Sequence, residues 1–236
     1  MKHGLLKSAA LKCVSMGVKA PEAHIDRYVE LGYLKLLLDT LEINCVLDVG
    51  ANRGQFSQEL RAIGYEGHIV SFEPIPREFA FMSRQFQGDE KWQGHQMALG
   101  AEDTTMTIHI PRLSVMSSLL DSVQKEPGME SAEVQVRRLD GLLGEVTAHV
   151  PSPRIFLKMD TQGYDLQVFK GAGDAITRVL GLQSELSVVP LYENMPHYTE
   201  ALQTYEGAGF ELYNLSVVNR VADGGLLELN CFMKRR

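Results

Sequence analysis

Apolar residues recur at helical spacing from about residue 22 to 41, at Ile25, Tyr28, Val29, Leu31, Leu34, Leu37, Leu38 and Leu41. This spacing predicts a helix, and Pro21 suits its first turn. The pattern then changes. CVLDVGA is a short apolar run ending in glycine, as expected of a strand buried on both faces. NRGQFSQELRAIG returns to helical spacing and stops at Gly64. HIVSFEP reads as a second buried strand, IPREFAFMSRQFQ as a second helix with Pro76 near its start, and WQGHQMALG as a weaker third strand. Strands alternating with helices in this way predict a doubly wound α/β fold with a mostly parallel sheet.

The alternation breaks after Gly100. TTMTIHI and VQVRRLD each alternate and are expected to pair antiparallel beside the main sheet. Between them lies a loop-like stretch with Pro127-Gly128 as a turn signal. RIFLKMD is again a buried strand, YDLQVFKGA a helix, LGLQSELS a strand, and PHYTEALQTYEGAGF a helix ending at Gly207 or Gly209. FELYNLSVV and LLELNCFMKR close the chain as strands joined through Asp223-Gly224-Gly225. The expected organisation is an N-terminal helical extension over residues 1–42 and an α/β domain over 43–236. That domain has a small antiparallel insertion at about 101–150 and an antiparallel last strand.

Composition narrows the class of function. The chain has 236 residues, 44% hydrophobic and 22% charged, with a net charge of −7. Such a balance disfavours nucleic acid and anionic membranes as partners. Cys13, Cys45 and Cys231 form no disulfide or zinc pattern, which points to a reducing cytoplasm. The N-terminal stretch is interrupted by Lys12 and Lys19, unlike a secretory signal, and no window approaches a membrane span.

Two constellations carry chemistry. In DVGANRG, Gly50 and Gly54 let the backbone turn sharply after a strand, and the following helix start offers free N–H groups. Glu73 ends the next strand, where an acid accepts hydrogen bonds from ribose hydroxyls. Together they predict a nucleoside cofactor, and the ligand logic favours S-adenosylmethionine. Its carboxylate would sit on the N–H groups of Asn52 to Gly54, and its ammonium on Asp48 or the Gly50 carbonyl. The loop lacks the third glycine of a dinucleotide fold, which weakens the nicotinamide-dependent oxidoreductase alternative. The second constellation is LKMDTQGYDLQVFKGA. Its strand delivers Asp160 to a carboxyl end, Gly163 permits an unusual backbone angle, and Asp165 reads as a helix cap. Glu185 is expected at the equivalent edge of the next strand. Two nearby carboxylates suggest either a general base or a divalent metal such as magnesium bound by Asp160 and Glu185. His109 and His149 are possible bases, with His109 kept as the reserve; His197 and Tyr198 lie where a substrate lid would be natural, or at an exposed helix start.

The pieces VLDVGANRGQFS, SFEP, MALG, Ser117-Ser118, RRLD and LKMDTQGYDLQVFKGA resemble the FkbM family of methyltransferases, from about residue 43 to 232. The resemblance implies a Rossmann-like methyltransferase fold. It also implies S-adenosylmethionine-dependent O-methylation of hydroxyls on sugars, glycolipids or polyketide-type products. Carried over, Asp48, Gly50, Asn52 and Gly54 would hold the methionine part, with Gln55 and Phe56 starting the helix beneath it. Glu73 would hold the ribose, with Phe72, Pro74, Met97 and Ala98 around the adenine. Ser117 and Ser118 would lie in a loop over the active site, and Asp160, Gly163 and Tyr164 would line the transfer crevice. A saccharide or other small molecule is the expected acceptor, and a homodimer is compatible with the N-terminal helix.

Overall fold

Fully apolar strands need cover on both faces, and the computed structural model, which describes residues 22–123 and 128–236, supplies it. In chain order the elements are α1 (Glu22–Thr40), β1 (Cys45–Val49), α2 (Gln55–Ala62), β2 (His68–Phe72), α3 (Pro76–Gln85), β3 (Trp92–His95), β4 (Ala98–Leu99), β5 (Thr104–Ile110) and β6 (Glu130–Arg137). They continue with α4 (Leu139–Val146), β7 (Ile155–Met159), α5 (Asp165–Gly171), β8 (Val179–Ser187), α6 (Tyr198–Gly207), β9 (Phe210–Arg220) and β10 (Leu226–Arg235). Residues 1–21 of the expected extension, with Cys13 and Pro21, and Pro127 of the expected turn lie outside the described residues.

The main sheet has seven strands in the order β3-β2-β1-β7-β8-β10-β9. β3, β2, β1, β7 and β8 run parallel, and β10 is antiparallel to both its neighbours. Strand order reverses between β1 and β7. The carboxyl ends of these two strands therefore part into a crevice, the usual ligand position in such sheets. The insertion pairs β5 with β6 antiparallel, as expected, and adds β4 in parallel to β6. The stretch WQGHQMALG thus divides: its first part edges the main sheet and its last part belongs to the small one.

Sequence patterning misses α4. Gly141 and Gly144 are unfavourable inside a helix, by about 1 kcal/mol each against alanine. Leu139, Leu142, Leu143 and Val146 nevertheless form a buried stripe on the core of β1, β2 and β7, and burial of that stripe outweighs propensity.

On the opposite face, α1 packs Leu34, Leu37 and Leu38 against Phe56, Phe156 and Phe232. The helix is therefore docked on the sheet of its own chain. It still exposes Ile25, Tyr28, Val29, Tyr33 and Leu36. Among the described residues, no helix is long and apolar enough to cross a membrane. Because Leu37 is fully buried, Leu37→Ala should lower unfolding stability by about 2–5 kcal/mol through lost burial and a residual cavity. Urea denaturation checks this, and a loss well below that range would mean α1 is not part of the core.

Candidate functional site

The crevice at the strand crossover is built by three strand ends. The Asp160 amide donates to the Val49 carbonyl, and the Gly50 and Ala51 amides both donate to the Phe72 carbonyl. This lashes β7, β1 and β2 together where the chain leaves the sheet. Gly50 has a φ of +76°, and a Cβ there would collide with the Asp160 carbonyl oxygen. Only glycine allows the loop to pass so close.

Beneath the loop, Lys158 and Asp48 face each other across paired strands. Lys158 Nζ lies 3.0 Å from Asp48 Oδ1, 3.6 Å from Asp160 Oδ2 and 3.3 Å from the Gly50 carbonyl oxygen. Burial alone would pull the Lys158 pKa down, but Asp48 and Asp160 overcome this and hold it above its ordinary value. Ser57 Oγ donates to the other Asp48 oxygen. Asp48 is thus fully buried with both oxygens engaged. It anchors the loop through Lys158, which also donates to the Gly50 carbonyl.

Glu73 is the second anchor. Its oxygens accept from the Asn52 and Ile75 amides, each at 2.8 Å. Burial raises its pKa to about 7 against the opposing pull of these two amides. The carboxylate still lines a cleft of about 520 Å³, with Gly50, Asn52, Phe72 and Pro74 on one side and Ile75, Ala98, Leu99 and Ile108 on another. Asp160, Tyr164 and Ser117 complete it. Ser117 Oγ is buried in this wall with no hydrogen-bond partner among the described residues, so a polar ligand atom would relieve it.

Other predicted residues fall elsewhere. Met97 packs against the main core and is not part of the cleft wall. Gly54, at φ +85°, is filled in by Phe86 and Met82 and serves helix packing. Its amide donates to the Ala51 carbonyl, the Asn52 amide to Glu73, and the Arg53 amide to Gln55 Oε1. The three amides expected to seat a carboxylate are thus engaged within the loop and by Glu73. Gln55 and Phe56 instead line a neighbouring polar cavity of about 740 Å³, under α1. Gly50, Asn52, Val115 and Asp160 border both spaces.

Asp160 and Glu185 are brought together, through a residue that sequence reasoning passed over. Gln162 Nε2 donates to Asp160 Oδ1 at 3.1 Å and to Glu185 Oε2 at 2.7 Å. Tyr192 Oη lies 3.0 Å from both Gln162 Oε1 and the Met116 carbonyl oxygen, with one proton to share between them. Gln162 itself has a φ of +51°, an uncommon conformation for a side-chain-bearing residue. Burial, with Asp160, Glu228 and Asp165 nearby, pushes Glu185 well above the ordinary carboxylate range. The magnesium expectation finds no support in this arrangement. Amide protons occupy the space between the two carboxylates, and among the described residues no three His, Cys, Asp or Glu side chains are grouped to hold a metal.

Ser118 Oγ donates to the Gln162 carbonyl and accepts from the Leu120 amide, and the residue lines the cavity that also holds His109. Gly163, at φ +88°, faces Met195 and Leu120 and lines a small cavity beside Glu185. Asp165 caps no helix. One oxygen accepts from the Thr161 amide and hydroxyl, the other from Ser184 Oγ and the Glu185 amide, so it straps the turn to β8. His109 lines a separate, largely apolar cavity and faces Asp121 at 3.2 Å; it is not gathered with Asp160. His149 packs edge-on to His68 at the start of β2, and His197 caps α6.

Comparison with known proteins gives a consistent picture. Residues 48–212 match the model of the methyltransferase FkbM domain. Methyltransferase 1 of Beauveria bassiana (strain ARSEF 2860) is 25% identical over 187 residues, covering 70% of this chain and 71% of the relative. Among solved structures, a Thermobifida fusca YX protein assigned as a methyltransferase superposes with a TM-score of 0.51 at 9% identity, over 91% of this chain and 82% of that one. Magnesium protoporphyrin IX methyltransferase of Synechocystis PCC 6803 gives 0.48 at 9% identity, over 89% and 79%. At 9% identity the likeness to the Thermobifida fusca YX protein speaks to fold alone.

The buried pair under the loop generates a prediction. Lys158→Met leaves Asp48 as an unpaired buried charge and should cost about 3–5 kcal/mol. The double variant Asp48→Asn, Lys158→Met should recover part of that loss. Thermal and urea melts read both, and additive losses would show that the two groups do not act as a pair.

Proposed function

The chain belongs to the FkbM methyltransferase family, and from that premise we propose that it uses S-adenosylmethionine to methylate a hydroxyl of a sugar, glycoside, polysaccharide or glycosylated natural product. The observation that carries the donor assignment is the cleft around Glu73. A buried carboxylate with lone pairs to spare borders an apolar slot of Ile75, Ala98, Leu99 and Ile108. That combination suits a ribose diol joined to a flat, weakly polar base. The residues present therefore fit the nucleoside.

When bound, the donor supplies an already activated, positively charged methyl group. The chain's own residues do the rest. Glu73 accepts from the ribose hydroxyls, while Phe72, Pro74 and Ala98 enclose the base. Gly50 and Asn52 face the amino-acid end, with Gln55 and Phe56 beyond them. Asp160 stands where the two cavities meet, with its side chain 40% exposed. It is our choice for the base that takes the hydroxyl proton onto a carboxylate oxygen. Gln162 positions it, and Glu185 braces Gln162. Tyr164 and Ser117 border the transfer point. Gln183 and Asn230 in the polar cavity favour a hydroxyl-rich acceptor. In this reading residues 43–236 form the catalytic domain, residues 1–42 are its extension, and the protein acts in the cytoplasm. The exposed apolar face of α1 supports a homodimer, which sedimentation equilibrium tests directly.

The central experiment is transfer of a labelled methyl group to glycoside, polysaccharide and non-glycosylated acceptors, with and without EDTA. Ether-linked label on a glycosylated acceptor, unaffected by EDTA, is expected. Label confined to sugar-free acceptors, or to nitrogen, would reject the acceptor class. Asp160→Asn should lower kcat by about 10²–10⁴-fold with little change in donor affinity; wild-type turnover would reject the base assignment.

Glu73 gives a further prediction. Glu73→Ala should weaken S-adenosylhomocysteine binding by about 1.5–3 kcal/mol. In the wild type the ionised carboxylate is the better acceptor, and its pKa stands at about 7. Affinity should therefore rise from pH 6 to pH 8 and be flat over that range in the variant. Calorimetry at both pH values reads this, and a pH-independent wild type would remove Glu73 from the ribose site.

A further inference from the structure

We propose that Arg27, on α1 and outside the family-matched region, receives the carboxylate at the amino-acid end of the methyl donor. The assignment rests on the donor reading above and on three observations. First, the amides of residues 52–54 are engaged by Glu73, Gln55 and Ala51, so the loop cannot seat a carboxylate there without losing its own bonds. Second, the polar cavity adjoins the nucleoside cleft across Gly50, Asn52, Val115 and Asp160. A ligand whose ribose lies at Glu73 extends past Gly50 into that cavity. Third, among the described residues the cations bordering the cavity are Arg27 and Lys158, and they differ in availability. Lys158 is buried and committed to Asp48, Asp160 and the Gly50 carbonyl.

Arg27 has capacity left. A guanidinium offers five N–H donors. Glu59 takes one on Nε and one on Nη2, and Glu30 takes one on Nη1. That leaves two N–H groups, one on each terminal nitrogen, with no partner among the described residues. Either can donate a charge-assisted hydrogen bond to a carboxylate oxygen. The side chain is 35% exposed and is held by both acids. Glu30 is in turn fixed by Asn230 of β10. The arginine is thus pre-oriented by the sheet and by α2 before any ligand arrives. The two acids together outweigh its single positive charge, so its contribution is that of a directed donor rather than a free cation.

Binding of two probes by calorimetry separates this role from a structural one. S-adenosylhomocysteine carries the amino-acid end, and 5′-methylthioadenosine lacks it. Arg27→Gln should weaken the first about tenfold or more and leave the second within about twofold. Glu59→Gln frees the guanidinium from a competing acid and should tighten S-adenosylhomocysteine binding a few-fold, again without effect on 5′-methylthioadenosine. It also serves if Arg27→Gln fails to fold. Equal losses for both probes, or no discrimination by either variant, would overturn the assignment while leaving the donor reading intact. Failure of the wild type to bind either probe would overturn the donor reading and this assignment with it.

Discussion

The site depends on one buried cation. Lys158 lies in the middle of an otherwise apolar strand, and desolvating an ammonium there costs several kcal/mol unless it is paired. Asp48 is its register partner on the adjacent strand, so the two side chains share a face and meet without distortion. The lysine then reaches past the strand end to the Gly50 carbonyl and Asp160. One group thereby fixes the height of the glycine loop and the position of the carboxylate opposite it. The strand crossover supplies the crevice; this ion cluster determines which atoms face into it.

The small sheet is more than decoration on this frame. Ala98, Ile108, Ile110, Val134 and Val136 form a secondary core with Ile75, and part of it is the apolar wall of the cleft. Its neighbouring loop turns over the site at Ser114–Met116 and is tied down by Ser118 on the Gln162 carbonyl. Tyr192, from the segment after β8, reaches both Gln162 Oε1 and the Met116 carbonyl. The cover over the cleft and the support of the two carboxylates therefore converge on one residue.

Much of this was legible in the chain, for identifiable reasons. Continuous apolar runs ending in Gly50, Glu73 or Asp160 read correctly as buried strands, because a parallel sheet demands cover on both faces. The acid at the end of β2 was legible for the same reason: a strand tip at fixed distance from a glycine loop has one place to go. Side-chain partners were not legible. Lys158 inside IFLKM looked like an ordinary exception in a strand. Gln162 followed the strand as a loop residue would, with nothing to signal a left-handed backbone. Asp165 matched a capping pattern, yet beside Thr161 its partners are Ser184 and Glu185 of β8, about twenty residues on, which local spacing cannot report. Helix α4 hid behind two glycines whose cost is overcome only by tertiary burial.

The choice of glutamine between Asp160 and Glu185 has its own logic. Two carboxylates brought to one edge repel, and something must lie between them. A lysine or metal ion would remove the repulsion by adding charge, and would hold both oxygens of the pair against any proton. A carboxamide donates one hydrogen bond to each and adds no charge. The second oxygen of Asp160 remains near Lys158 and the meeting point of the two cavities. Glu185 has Gln162 as donor and three acids around it, and burial pushes its carboxyl up. The amide thus makes the two acids unequal: one beside a fixed positive charge, the other in a setting that favours its neutral form. The two carboxylates themselves preserve that arrangement, since a flipped Gln162 would point its carbonyl oxygen at both of them.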